Sequence, residues 1–314
     1  MSVRSLFVGA APWPHQVAAF EACREFIAAG GARGLVQMPT GTGKSRIVRA
    51  LAMWAVAMRR PVVIAAPWQE ILDQFADDLR RETRTPFYID KAEQRRPAAA
   101  LIILASHATL WRRLHLYPQH SLLLFDECHH SGRPARCNLQ SLARFDQVLG
   151  FSASPWSPEC EEIYGGNVLY TYPLSRAVAD GYVCPYVIEP MPEPVPAPQR
   201  FELYFCASNE QARQLAEATP QARYLGHETQ STDRTQALAC FRRGAVRRLY
   251  LNRCLIEGFD CPEVDRVFVD KGTQSELMLY QMAGRGLRRK RAGEFFRLSC
   301  FEVGVMTRAL ERAG

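Results

Sequence analysis

Short apolar, β-favouring runs alternate with helical stretches through the first half of the chain, and this alternation restricts the fold more than any other feature. GLVQM (34–38), VVIAA (62–66), LIILA (101–105), SLLLF (121–125) and VLGF (148–151) read as buried strands, and 44–58 and 68–82 as amphipathic helices between them. Strands without a polar face belong in a parallel sheet covered on both sides. From Pro185 to Pro198 proline then stands at almost every second position. Such a stretch continues neither a helix nor a central strand, so 186–199 is expected to be a semi-rigid linker. A second alternation follows, with strands over 201–206, 222–226, 247–252, 264–269 and 295–301 and helices over 208–218, 232–243 and 275–283. The expectation is two α/β domains, 1–185 and 200–314, each a mostly parallel sheet with helices on both faces.

Composition narrows the setting. The 314 residues, 47% hydrophobic and 23% charged, are ordinary for globular protein and suffice for about two domains. No apolar run reaches the roughly 18 residues of a membrane span, and the first residues lack a secretory pattern, so a cytoplasmic location is expected. Ten scattered cysteines without a CxxC pair point to reduced thiols rather than a zinc ribbon. A net charge of +7 suits a polyanionic partner. Only four of the 39 basic residues are lysines; that bias fits bidentate phosphate contacts and biased base composition equally well.

Two motifs carry chemistry. Met38-Pro39-Thr40-Gly41-Thr42-Gly43-Lys44-Ser45 follows an expected strand and opens an expected helix. Its glycines let backbone N–H groups face phosphate, the helix N-terminus adds positive potential, Lys44 suits the β/γ-phosphates and Ser45 suits Mg²⁺. Met38 stands where the general pattern has its first glycine. Downstream, Asp126-Glu127-Cys128-His129 places two carboxylates at the C-terminal end of an apolar strand, where parallel sheets bind ligands. Asp126 suits Mg²⁺, and Glu127 suits polarising a water. Together the motifs specify an ATP site.

In order and spacing the chain resembles superfamily two helicases almost end to end. Gln16 sits at their adenine-reading position, MPTGTGKS resembles motif I, and Ala66 to Phe75 motif Ia. Ser106 to Leu110 resembles motif Ib, DECH motif II, and Phe151 to Pro155 motif III. Leu203 to Ala207 falls at motif IV, Glu257 to Pro262 resembles motif V, and Gln281 to Arg288 motif VI. GFDCP, GRGLR and Ala179-Asp-Gly-Tyr182 are similar to the branch that holds XPB, UvsW, RadD and the motors of type I and III restriction enzymes. The resemblance implies tandem RecA-like domains with ATP and Mg²⁺ in the cleft between them. It implies arginine fingers at Arg285 and Arg288, water positioning by Gln281, and nucleotide contacts from Gly258 and Asp260. It also implies coupling through His129, Ser152 and Ser154, and nucleic-acid contacts at Pro67, Ser106 and Arg253. Trp13, His15, Trp68 and Arg253 depart from the usual residues of their motifs. No accessory domain is expected after Arg291, and no strand-separating insertion.

The implied function is an ATP-dependent helicase or translocase, acting as a monomer on duplex or branched DNA, with a possible protein partner supplying specificity. An ATP-switched clamp without processive unwinding, and an RNA helicase, remain alternatives. Arg288 to Arg291 reads as a phosphate track, whereas Arg242-Arg243 and Arg247-Arg248 read as solvated charge. His130, Trp156 and Tyr164 read as structural, and Cys254 and Cys261 as packing residues.

Overall fold

The computed structural model describes residues 3–90, 100–130, 139–252, 264–270, 275–287 and 294–312. The chain divides into two compact units, Met1–Pro173 and Leu174–Gly314.

In chain order the first unit holds α1 (Pro14–Ala28), β1 (Arg33–Gln37), α2 (Lys44–Ala57), β2 (Val62–Ala66), α3 (Gln69–Glu82), β3 (Phe87–Ile89), β4 (Ile102–Ser106), α4 (His107–Arg113), β5 (Ser121–Asp126), β6 (Phe145–Ser152), α5 (Pro158–Tyr164) and β7 (Val168–Thr171). Its described strands form one sheet in the order β3-β4-β2-β5-β6-β1-β7, parallel at every pairing. Every residue of β2 and β5 is buried, which is why both read as unbroken apolar runs. The strands β3 and β7 escape the sequence pattern for different reasons. β3 has only three residues, and β7 is a partly exposed edge with no buried residue. Arg49 on α2 makes a bidentate pair with Glu82 at 2.8 and 2.9 Å and meets Asp78 at 2.7 Å, tying α2 to α3.

The second unit holds α6 (Leu174–Ala179), β8 (Tyr186–Pro190), β9 (Phe201–Cys206), α7 (Asn209–Ala218), β10 (Ala222–Leu225), α8 (Ser231–Arg242), β11 (Arg248–Leu251), β12 (Val264–Asp270), α9 (Glu276–Ala283), β13 (Phe296–Cys300) and α10 (Val303–Arg312). The described strands again run parallel, in the order β10-β11-β9-β12-β13-β8. The expected linker 186–199 therefore begins as sheet. Tyr186 to Pro190 pair in register with Phe296 to Cys300, and the Met191 N–H donates to the Cys300 carbonyl at 3.1 Å. Proline is tolerated there because β8 is an edge strand and Pro190 is its last residue. The units accordingly divide at Pro173/Leu174 rather than after 185.

Arg248 also differs from expectation. It is 2% exposed and meets Glu202 at 2.6 Å across the β9–β11 pairing. It further donates to the Pro196 carbonyl at 2.7 Å and lies over the Phe268 ring. The side chain is thus a core strut joining the proline-rich segment to the sheet, whereas Arg247 is half-buried over Phe201 and Arg242 and Arg243 are exposed.

Candidate nucleotide site

The sheet order of the first unit determines where the two motifs meet. β6 lies between β1 and β5, so the segments leaving these three strands at their C-terminal ends are neighbours. The loop after β1 carries Lys44, the turn after β5 carries Glu127, and β6 ends at Ser152. Lys44 Nζ stands 3.9 Å from Glu127 Oε1, and the Met38 N–H donates to the Ser152 carbonyl at 3.0 Å. Met38 is fully buried; its side chain anchors the loop in the core where the general motif has glycine.

The loop is shaped by its glycines and by α1. Gly41 and Gly43 have φ of 87° and 85°, a left-handed backbone that favours glycine. A Cβ on Gly43 would also lie 2.1 Å from Gln16 Nε2. Gln16 donates to the Thr42 carbonyl at 3.0 Å, and its Oε1 accepts from the Trp13 N–H at 3.1 Å and from Arg46 at 3.2 Å. His15 Nε2 reaches the same Thr42 carbonyl at 2.9 Å, with its ring stacked on Tyr172 at 4.2 Å. Gln16 is fully buried and its amide is spent on the loop. Thr42 closes the turn by donating to the Pro39 carbonyl at 2.6 Å, while Lys44 Nζ reaches the Met38 and Pro39 carbonyls at 3.2 and 3.5 Å. No side chain caps α2, whose Ncap is Gly43. Its first turn, including half-buried Ser45, presents N–H groups and positive potential toward an anion. Thr40 is likewise half-buried.

Beside Lys44 lie the carboxylates. Asp126 is 3% exposed, and its Oδ1 is buried without a hydrogen-bond partner among the described residues. Burial first, and then the Glu127 carboxylate, push the Asp126 carboxyl up to about 7. A buried carboxylate in that condition suits a cation, so the donor set fits Mg²⁺. Glu127 has φ of 47°, the left-handed region for a residue with a Cβ. His129 Nδ1 lies 2.7 Å from Ser152 Oγ and 3.7 Å from Glu127 Oε2. Ser152 Oγ also accepts from the Ser154 N–H at 3.0 Å, so His129, Ser152 and Ser154 form one chain of contacts from β5 to β6. The Ser154 hydroxyl is buried without a partner among the described residues.

Farther along the same sheet edge, Ala66 pairs with Ser106, which brings Pro67 beside Ser106. Ser106 caps α4 by accepting from the Thr109 N–H at 3.1 Å. Trp68, next to Pro67, is 49% exposed and faces His130 at 6.4 Å. In the second unit Gln281 lies in α9 and Arg285 just beyond it, its Nε donating to the Gln281 carbonyl at 3.5 Å. Gly286 is required by packing, since a Cβ would strike the Phe296 ring at 1.9 Å. Arg253, Cys254, Gly258, Asp260, Cys261 and Arg288 to Arg291 lie outside the described residues.

Sequence reasoning assigned no role to Tyr172, Arg46 or His107. Tyr172 and Arg46 lie outside the motifs, so only the fold brings them to His15 and Gln16. His107 stands inside motif Ib, and its 2% exposure is the signal that patterning alone did not reveal. Tyr164 is core: it packs against Gly150 and Cys128.

Residues 10–157 match the family model for the type III restriction enzyme res subunit, and 198–290 match that for the helicase conserved C-terminal domain. The chain belongs to the superfamily two helicases, in their restriction-motor-like branch. Among solved structures, this helicase chain is similar to a fragment assigned as the HsdR subunit of a type I restriction enzyme from Vibrio vulnificus YJ016. That likeness has 18% identity and a TM-score of 0.76, over 98% of this chain and 67% of that one. It is also similar to the ATP-dependent type ISP restriction-modification enzyme LlaBIII bound to DNA, at 13% identity and a TM-score of 0.71. There 92% of this chain matches, spanning only 27% of the larger protein. S. cerevisiae Dbp5 bound to RNA and ADP BeF3 matches at 16% identity and a TM-score of 0.67, over 96% of this chain and 88% of that one. At these identities the likenesses establish the fold: two RecA-like domains in tandem. No curated protein sequence matches this chain. Among the described residues, no helix is long and apolar enough to cross a membrane.

Proposed function

We propose that this helicase hydrolyses ATP and uses the cycle to move on DNA, duplex or branched. The observation that carries the reading is the grouping of Lys44, Asp126, Glu127, His129 and Ser152 at the ends of three neighbouring strands. In this reading the Gly41–Gly43 backbone and the first turn of α2 bind the phosphates, and Lys44 neutralises the charge that develops on them. Asp126 and Ser45 hold Mg²⁺, which supplies further positive charge to the phosphates when bound. Glu127 accepts a proton from the attacking water. His129, Ser152 and Ser154 transmit the state of that site along the sheet edge. Gln281, Arg285 and Arg288, with Gly258 and Asp260, take the roles their motifs imply. Pro67, Ser106 and Arg253 contact the nucleic-acid backbone.

The DNA preference draws support from the basic chain and from the wording of motifs V and VI. To test it, ATP turnover is measured with equal nucleotide concentrations of duplex DNA, forked DNA, single-stranded DNA and RNA. The expected result is strong stimulation, greater with duplex or forked DNA than with RNA. Equal or greater stimulation by RNA overturns the DNA assignment and leaves the motor. Binding of ATP without turnover on any nucleic acid marks an ATP-switched clamp instead.

A further inference from the structure

Glu127 has a φ of 47°, in the left-handed region that is uncommon for a residue with a Cβ. One side chain meets the chain on both sides of this residue. The His107 imidazole lies with Nε2 3.1 Å from the Asp126 carbonyl and Nδ1 against the His130 carbonyl; burial pulls its pKa down to about 4, so the neutral ring donates its single N–H to one of the two. Between those two points the His130 N–H donates to the Glu127 carbonyl at 3.0 Å, closing the turn. His107 is itself held. It is the first residue of α4, beneath the Ser106 cap, with its ring edge-on to Phe125 at 5.2 Å.

We propose that His107 is a positioning residue that spans the DECHH turn and holds Glu127 in the conformation that faces Lys44. The inference rests on the ATPase reading above. His107 has no contact with the phosphate loop among those described; its two carbonyl neighbours, on Asp126 and His130, flank Glu127. A base must lie within hydrogen-bond reach of the water it deprotonates, and a displacement of about 1 Å is costly. Losing the brace therefore lowers the rate of the chemical step and leaves ATP affinity unchanged.

The test is a graded series in the full chain. His107→Asn retains a donor near Nδ1 and loses the Asp126 contact; His107→Phe retains a ring and loses both contacts. The expected kcat order is His above Asn above Phe, with the Phe variant reduced on the order of 10- to 100-fold and KM for ATP within about twofold of wild type. Melting temperature is followed alongside; if the Phe variant does not fold, the Asn variant alone must lower kcat at unchanged KM. Wild-type kcat in the folded variants, with Glu127→Gln inactive, overturns the inference and spares the ATPase reading. A wild-type chain without ATP turnover overturns that reading instead. Amide hydrogen exchange over Glu127–His130 then decides the brace: faster exchange in His107→Asn upholds it, and unchanged exchange overturns it.

Discussion

Lys44 and Glu127 face each other across 3.9 Å, and neither is among the buried apolar residues of the core. Lys44→Ala is expected to abolish ATP turnover while leaving the melting temperature within a few degrees of wild type. Turnover at the wild-type rate would remove the phosphate loop from the mechanism. Glu127→Gln is expected to bind ATP and Mg²⁺ and turn over very slowly, because an amide cannot accept the water's proton; equilibrium binding of a fluorescent nucleotide separates this from lost affinity. Asp126 supplies a pH dependence. Its carboxyl is raised to about 7 in the folded chain, so the folded state holds a proton that the unfolded state releases near 3.8. The stability tied to that proton is full below the unfolded value and is lost as pH rises through about 7. A cation at Asp126 competes with the same proton. Mg²⁺ is therefore expected to raise the melting temperature more at pH 8 than at pH 6, and Asp126→Asn to abolish the difference. An equal Mg²⁺ effect at both pH values in the wild type would refute the cation role.

At the scale of elements, buried polar contacts hold the sheets and helices in place. Arg49 ties α2 to α3 through Asp78 and Glu82, which steadies the helix that opens at the phosphate loop. Arg248 does comparable work in the second sheet, where burial raises the Glu202 carboxyl and the guanidinium opposes that shift. Arg248→Met leaves Glu202 buried without its cation, and a loss of about 3–5 kcal/mol is expected from denaturant unfolding. Adding Glu202→Leu should recover much of that loss, because a well-packed apolar pair can replace a buried ion pair. A single variant within about 0.5 kcal/mol of wild type would mean that the pair is not a core strut.

Over the whole molecule, the expected motor needs both units. Residues 1–173 form a compact unit that contains Lys44, Asp126 and Glu127 but lacks Gln281, Arg285 and Arg288. This fragment is expected to turn ATP over on the order of 10³-fold more slowly than the full chain, as removing an arginine finger does. A fragment as active as the whole would confine the reaction to the first unit. Contacts to nucleic acid are expected mainly at phosphate, since a motor on arbitrary sequence cannot depend on base edges. Binding should weaken steeply with salt, with a log–log slope of about −0.9 for each phosphate neutralised, and should change little with DNA sequence. A flat salt series would sever the link between the +7 charge and binding.

The amino-acid sequence alone specified the alternating parallel architecture, because strands buried on both faces must be apolar throughout. It also determined the phosphate loop and the DECH turn, because their chemistry needs particular residues at adjacent positions. Its reading failed where structure depends on partners distant in the chain. The strand β8 was masked by the prolines around it, although Tyr186-Val187-Ile188 favours a strand, and only its pairing with β13 reveals it. Arg248 looked like solvated charge until Glu202 and Pro196 were brought to it by the sheet. His107 lay unremarked inside its motif, since only the order β4-β2-β5 carries it to the carbonyls of Asp126 and His130. Local patterns record what a residue must be toward its neighbours in the chain. Which backbone it braces is decided by packing, where separations of 19 and 23 residues close to hydrogen-bond contact.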